Sequence, residues 1–302
     1  MYLKFLTVLF VSIFALSTSI SVKAQETDSS WSYNWSDSTS HEWDEFDIDF
    51  HFDFLKMGKP SINVVYGIPK NSLYNTISPF SKSGLAEIKL GYTKERDVKK
   101  TDYLFKHKFS YLAISNISYS LSKGKTAGEI NTNTWRISFG WEDGYGYKFG
   151  NSSLILYNTW GMGWSRVHVE DTLTNLFEKE ELELFNDSFR FGTMAAGGIK
   201  FRVIPSIELD AGYERAAIFP RHIFWKWAGS ALIEGAGQGL IDAFVKKILA
   251  SSPSAAPVVS FILKNGLSYA AYELRKDKMN YPFDSAPPII TDSFKFGVTF
   301  IF

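Results

Sequence analysis

The segment from residue 294 to residue 302 constrains the fold more than any other part of the chain, because its side chains alternate between two chemical classes. Every even position is Phe or Val, and the odd positions are Lys, Gly, Thr and Ile. Successive side chains of a β-strand point to opposite faces, so this period of two predicts a strand with one apolar face. An edge strand exposing a row of Phe in water would aggregate, so this face needs an apolar environment.

Earlier segments repeat the alternation, some of them less regularly. The segment 154–160 is apolar on both faces, whereas the others pair an apolar face with a polar or small one. Together with the last segment they make eight, the smallest usual number of strands in a membrane barrel. The sequence therefore predicts an all-β fold, an antiparallel up-and-down transmembrane β-barrel of about eight strands. The earlier segments are residues 62–68, 86–92, 109–121, 135–142, 154–160, 189–201 and 207–214.

Residues 1–24 have the organisation of a secretory signal peptide. Lys4 precedes an apolar run from Phe5 to Leu16, and Val22 and Ala24 place small residues before a cleavage point at Gln25. The apolar run is too short to span a bilayer comfortably. Aromatic residues make up 17% of the chain, which suits the aromatic girdles of a lipid-facing barrel. We therefore expect an exported protein.

The last predicted strand resembles the terminal strand of bacterial outer-membrane β-barrel proteins, which typically ends in Phe. The resemblance is close in this strand and covers only the architecture elsewhere. It implies location in the bacterial outer membrane, with outer-membrane lipids and the barrel-assembly machinery as partners. It also implies that Phe300 and Phe302 form the signal that this machinery reads.

If the apolar faces meet lipid, the charged residues on the opposite faces point into the lumen. An eight-stranded lumen is just wide enough for side chains to fill it, and charges buried there must pair. Two interpretations stay open: a salt-bridged interior that does not conduct, and a narrow polar passage. The candidate lumen residues are Glu87, Lys89, Arg136, Arg190, Lys200, Glu208, Asp210 and Lys295.

Two regions of the sequence are not needed to form a minimal eight-stranded barrel. A helical insertion over residues 216–276 contains helical patterns at 222–250 and 256–275. We interpret it as a cap or plug of the barrel, as a hairpin resting its aromatic end on the membrane, or as a compact external subdomain. Residues 25–58 are rich in Asp, Glu and aromatic residues, and they predict a periplasmic segment before the barrel domain of residues 59–302.

The chemistry-bearing residues form no recognisable catalytic motif. Cysteine is absent, and Lys+Arg and Asp+Glu both number 32, so no global basic charge favours nucleic acid as a partner. We expect no cofactor and no metal, and a non-enzymatic role that is structural or involves binding or passage of a small ligand. The alternatives are a lipid-modifying enzyme, with His168 near Glu170 and Asp171, and a surface adhesin.

Overall fold

The computed structural model describes residues 58–74, 76–99, 101–122, 124–125, 127–170 and 176–302. Eight antiparallel strands in these residues form a closed barrel, in which each strand pairs with its sequence neighbours and the last pairs with the first. The prediction of an eight-stranded up-and-down barrel is therefore confirmed. The predicted signal peptide and residues 25–57 of the acidic segment lie outside the described residues.

The strands are joined by short turns at one end of the barrel and by longer connections at the other. Their bounds are β1 Lys59–Leu73, β2 Gly84–Asp97, β3 Leu104–Ser118, β4 Thr132–Phe149, β5 Ser152–Val169, β6 Phe189–Ile204, β7 Ile207–Ile218 and β8 Ile289–Ile301. The helices are α1 Leu176–Glu183, α2 Phe224–Ser251 and α3 Ala256–Arg275. The confirmed two-helix insertion, α2 and α3, therefore lies between β7 and β8.

The strands extend beyond the alternating segments of the sequence. The connection between β2 and β3 covers only residues 98–103, and that between β4 and β5 only 150–151. Polar side chains such as Lys108 and Asp143 interrupt the apolar alternation there, yet they pair directly in the β3–β4 ladder. Backbone pairing continues where the side-chain pattern stops, so sequence periodicity underestimates the strand lengths.

The two ends of the barrel differ in their connections. The short-turn end carries residues 98–103, 150–151 and 205–206. The long-loop end carries residues 74–83, 119–131, 170–188 and 219–288. Short turns on one side and long loops on the other are typical of outer-membrane barrels.

The barrel is apolar on the outside and polar on the inside. Phe294 and Phe296 are 60% and 54% exposed, whereas Lys295 between them is only 7% exposed. On the neighbouring β1, Tyr66 is exposed and Asn63 is buried. This arrangement is the reverse of a water-soluble barrel, in which the apolar faces would fill the interior.

Helices α2 and α3 pack against the outer wall of the barrel. The Tyr272 hydroxyl donates a hydrogen bond to Thr193 Oγ1 over 3.1 Å, and Arg215 pairs with Glu273 of α3 over 2.5 Å. Thr193 and Arg215 point outward, because they alternate with the inward-facing Met194 and Glu214. This placement corrects the interpretation of the insertion as a cap or plug. The physical reason is that side chains already fill the lumen, which leaves no room for helices about 10 Å wide.

Candidate functional site in the barrel lumen

The centre of the lumen is crossed by an ion network of two carboxylates and two cations. Arg136 Nη2 lies 3.1 Å from Glu87 Oε2 and 2.8 Å from Glu214 Oε1. Lys295 Nζ lies 2.9 Å from Glu87 Oε1 and 2.5 Å from Glu214 Oε2. These four residues, which we call the central ion network, come from β2, β4, β7 and β8, so they join opposite walls of the barrel. Each is nearly fully buried, and each charge faces an opposite charge.

A second group of charges lies nearer the short-turn end. Glu142 Oε1 accepts hydrogen bonds from Lys200 Nζ at 2.5 Å and from His107 Nε2 at 2.9 Å. The other ring nitrogen of His107 lies 3.6 Å from Glu95 Oε1. The imidazole therefore bridges two carboxylates inside the barrel.

Arg202 continues this group to the mouth at the short-turn end. Its guanidinium pairs with Glu95 and also with Glu208, at 2.5 Å from Glu208 Oε1. Nearby, the hydroxyl of Tyr157 donates a hydrogen bond to Asp210 Oδ1 over 2.7 Å. Ion pairs and hydrogen bonds thus extend from the centre of the lumen to its short-turn mouth.

Aromatic rings occupy much of the space between these charges. Lys89 Nζ lies 4.8 Å from the centre of the Tyr111 ring, and Lys200 Nζ lies 4.9 Å from that of Phe109. Gly140 faces the Tyr111 ring so closely that an added Cβ would overlap it. Cations over ring faces are stabilised by the ring quadrupole, so the aromatics both fill the lumen and support its charges.

The space left beside the central ion network is very small. A cavity of about 10 Å³ is lined by residues including Ile117, Arg136 and Met194. A cavity needs roughly 10–15 Å³ to hold one water molecule. This cavity therefore has room for about one water and no room for a solute.

An apolar layer covers the lumen at the long-loop end. Leu182 of α1 and Phe185 pack with Ile130 of another loop and with Ile218 and Ile289, which belong to strands. The backbone N–H of Ser81 donates a hydrogen bond to the Ile130 carbonyl, and the N–H of Ile130 donates one to the Pro79 carbonyl, so two of the loops are joined. We call the described residues of 74–83, 119–131 and 176–185 the lid, since the barrel is covered by these segments and not by α2 and α3.

Glu178 of α1 fixes the lid to the first long loop. Its carboxylate accepts hydrogen bonds from the backbone N–H of Ile77 and Ser78 and from the Ser78 hydroxyl, the last over 2.7 Å. Glu178 is buried. The hydrogen bonds from Ser78 hold the pKa of the Glu178 carboxyl below its ordinary value.

The lid is expected to loosen in acid. A lowered pKa in the folded state gives stabilisation that is fully present above the ordinary glutamate pKa of about 4.3 and is lost as pH falls through the folded value. Hydrogen–deuterium exchange in residues 74–83, corrected for the intrinsic rate, should rise over that range. Glu178→Gln should remove this step, whereas Glu180→Gln on the exposed side of α1 should keep it. An unchanged step in Glu178→Gln would contradict the assignment.

The candidate lumen residues from the sequence fall in two groups. Arg190 lies at the long-loop end of β6 and lines a pocket of the outer wall with Trp164 and His222, apart from the lumen charges. Phe300 faces outward, and Phe302 is 71% exposed next to β1. The remaining candidates all lie buried in the lumen; they are Glu87, Lys89, Arg136, Lys200, Glu208, Asp210 and Lys295.

His107 and Glu95 belong to the lumen but were not among the candidates. Both fall in the segment 93–108, which the sequence pattern assigned to a connection. The alternation of Phe109 and Tyr111, continued backward by one step, places His107 on the same face. The available signal was therefore the parity of the neighbouring strand rather than any local motif.

The structure pairs His168 with an acidic residue that the sequence pattern did not indicate. Its Nδ1 lies 2.9 Å from Asp187 Oδ2, and Arg166 Nη2 lies 3.1 Å from Asp187 Oδ1. Glu170 instead accepts hydrogen bonds from Tyr119 and Lys125. Asp171 lies outside the described residues. The His168–Asp187 pair is half exposed at the long-loop end, on the outer face of β5.

Two further features of the described residues concern metal sites and membrane-spanning helices. In the part of the chain that the structure describes, no cluster of His, Asp and Glu has the geometry to hold a metal ion. Among the same residues, no helix is both long enough and apolar enough to cross a membrane.

The chain is similar to known proteins in structure, at low sequence identity. No protein-family model matches the sequence, and no curated protein matches it. Similar solved structures include neisserial surface protein A, with 12% identity, coverage of 80% of this chain and 97% of that chain, and a TM-score of 0.37. Ail, the attachment invasion locus protein of Yersinia pestis, has 9% identity, coverage of 82% and 99%, and a TM-score of 0.31. A major outer membrane protein from Thermus thermophilus has 11% identity, coverage of 80% and 99%, and a TM-score of 0.25.

These similarities are too low to carry an argument about function. The assignment of the fold rests on the strand pairing of the barrel itself.

Proposed function

We propose that this chain is an integral protein of the bacterial outer membrane with a structural, non-enzymatic role, and that its barrel does not conduct. The observation that carries the proposal is the central ion network, in which Arg136 and Lys295 each contact both Glu87 and Glu214 across the lumen. Because these ion pairs cross the lumen, they cross-link opposite walls of the barrel and obstruct a passage through it.

The outer surface supports the membrane location. Exposed apolar side chains follow one another along β1 and β8, among them Val64, Tyr66, Phe294 and Phe296. A contiguous apolar surface of this kind is rare on a protein dissolved in water. Closure of the sheet also leaves no unpaired strand edge, as a membrane-spanning sheet requires. In this proposal the long-loop end faces outside the cell and the short-turn end faces the periplasm.

Two layers support the closed state of the lumen. The lid covers the long-loop end with apolar side chains, including Leu182 and Phe185. Below it, the central ion network joins opposite walls of the barrel, and the cavity beside Arg136 measures about 10 Å³. Passage of a solute would require both layers to open, so the passage of a small ligand weighed from the sequence is not part of this proposal.

The refolded protein is expected to give no channel currents in planar lipid bilayers. Leu182→Ser combined with Phe185→Ser should remain closed, because these changes weaken the lid and leave the central ion network intact. A porin reconstituted in the same way provides the positive control. Stepwise ion currents from the unmodified protein, at a frequency that scales with the amount of protein, would contradict the proposal.

A second candidate function is modification of outer-leaflet lipids. One observation favours it: the His168 imidazole is held by Asp187 beside Arg166 on the outer wall. A histidine oriented by a carboxylate is suited to act as a general base.

Mass spectrometry of lipids after incubation with the refolded protein separates the two candidates. The structural proposal predicts the same lipids with the unmodified protein and with His168→Ala. A lipid product that is lost in His168→Ala but kept in His222→Ala would establish the enzyme instead.

A further inference from the structure

The helical hairpin of α2 and α3 exposes a face without charge over most of its length. This face lies in residues 228–245 of α2 and 258–275 of α3. Helices on a water-soluble protein direct charged and polar residues outward. The exposed residues in these two intervals are instead Leu232, Ile233, Gly235, Leu240, Ala243, Phe244, Val258, Ile262, Leu263, Gly266 and Tyr269.

The charged residues of the same intervals face the barrel or the partner helix. Arg275 Nη2 lies 2.9 Å from Glu234 Oε2, and both side chains are only 5% exposed. Lys264 Nζ lies 2.6 Å from Asp242 on α2 and 3.1 Å from Asp143 on the outer wall of β4. Each charge therefore has an opposite charge as its partner. Glu234, Lys264 and Arg275 are buried, whereas the side chains of Asp242 and Glu273 are 45% and 33% exposed. Polar residues turned inward and apolar residues turned outward are the pattern of helices in a lipid environment.

Gln238 adds a polar contact within the same protected seam. Its Nε2 donates hydrogen bonds to the Ser268 hydroxyl at 3.0 Å and to the Lys264 carbonyl at 3.2 Å. Hydrogen bonds between helices satisfy polar side chains that would otherwise face hydrocarbon. The seam between α2 and α3 thus holds the Gln238 amide, while the Asn265 amide of α3 donates a hydrogen bond to the Tyr157 carbonyl of the barrel wall.

The hairpin follows the barrel wall from one end to the other. At the short-turn end, Val245 and Ala256 pack against Tyr145 of β4 and beside Val98 of the first short turn. At the long-loop end, Tyr272 packs with Ala217 and Ile290 of the outer wall. At 1.5 Å per residue, a helix of the length of α2 extends for about 42 Å, more than the hydrocarbon thickness of about 30 Å.

Lysines lie near the ends of α2 and not in its middle. Lys226 follows the first residues of the helix, and Lys246 and Lys247 precede its last turn. Long cationic side chains near helix ends reach the polar interface of a bilayer while the centre stays in hydrocarbon. Their positions match the two levels at which the hairpin passes the barrel ends.

We propose that the α2–α3 hairpin is embedded in the hydrocarbon layer of the outer membrane, docked on β4 to β7, with lipid acyl chains covering its exposed face. The proposal rests on the proposed membrane location of the barrel. Neither helix is apolar enough to cross a membrane alone. The placement therefore requires the two helices to enter as a pair joined to the wall, with Lys264 paired to Asp143, Glu273 paired to Arg215 and the other charges paired within the hairpin. The strands β8, β1, β2 and β3 would then face lipid directly, and the hairpin would cover part of the wall formed by β4 to β7.

Spin labels on single cysteines test this placement, since the chain has no cysteine of its own. Leu240→Cys and Ile262→Cys place labels at the middle of each helix. Phe296→Cys on the barrel and Ser252→Cys at the exposed tip of the hairpin serve as controls. Collision rates with molecular oxygen and with a water-soluble nickel chelate are measured after refolding into phospholipid vesicles. Heat-modifiable gel mobility selects folded protein in every sample.

Labels at Leu240 and Ile262 are expected to collide with oxygen as readily as the label at Phe296. Their collision rates with the chelate should be far lower than that of the label at Ser252. If the labels at Leu240 and Ile262 collide with the chelate as often as the label at Ser252, the proposal is overturned. A Phe296 label that is still protected by lipid would show in that case that the barrel itself lies in the membrane. Protection from both reagents would indicate a protein partner in place of lipid and would also overturn it. A Phe296 label exposed to the chelate would contradict the membrane location itself.

Discussion

Replacing Arg136 by Ala is expected to lower the free energy of unfolding by about 3–5 kcal/mol, because removing one partner of a buried ion network leaves buried charge uncompensated. Glu87 and Glu214 would then share Lys295 as their common cation. The loss should be measured by urea unfolding of the refolded protein in lipid vesicles, followed by tryptophan fluorescence.

Two control variants separate this effect from a general loss of charge. Lys125→Ala removes an exposed ion pair with Glu170, and it should leave the urea midpoint of unfolding nearly unchanged, because water screens exposed charges. Arg136→Ala combined with Glu214→Gln should be more stable than Arg136→Ala alone, since it removes one uncompensated carboxylate along with the cation. A loss of less than about 1 kcal/mol in Arg136→Ala would show that the network does not hold the barrel walls together.

Replacing Arg275 by Ala is expected to release the hairpin from its protected packing. Glu234 would lose its ion pair in the seam between α2 and α3, where both side chains are nearly fully buried. Arg275 also donates a hydrogen bond to the Ser230 hydroxyl and lies over the Tyr272 ring. A buried pair broken on one side costs about 3–5 kcal/mol, so the hairpin should become sensitive to protease while the barrel stays folded.

The matched control replaces the whole pair with apolar residues. Glu234→Leu combined with Arg275→Met removes both charges, and such replacements are often neutral or stabilising. The double variant should therefore resist protease like the unmodified protein. Limited proteolysis with mass spectrometry locates cleavage in residues 224–275. Equal sensitivity of the single and double variants would show that the contacts of Arg275, and not the orphaned charge, determine hairpin docking.

Much of the barrel could be predicted because period two is a local property of each strand. The alternation in β8 and β6 is set by residues next to one another in the sequence, so it identifies the strands and their two faces. Burial of Glu87 and Lys295 in the lumen follows from the same parity. Strand ends were less clear, because polar outward residues such as Asp143 remain in the ladder after the apolar pattern has stopped.

The location of the hairpin could not be predicted from the sequence of the helices. Their pattern identifies an apolar face. That face could be buried within an external subdomain, in the lumen or in a lipid layer. The location depends on contacts between distant residues, such as Lys264 with Asp143 and Tyr272 with Thr193. The lid was missed for the same reason, since Leu182 and Ile130 meet only after the loops have folded over the barrel.

The most direct test of the account is a scan of single cysteines from residue 293 to residue 298 along β8, each labelled with an environment-sensitive fluorophore and refolded into vesicles containing brominated lipids. Bromine on acyl chains quenches only fluorophores that reach the hydrocarbon. We predict strong quenching at Phe294, Phe296 and Val298 and weak quenching at Ser293, Lys295 and Gly297, an alternation with a period of two. Uniformly weak quenching, or quenching in the opposite phase, would contradict a barrel with its apolar faces in lipid.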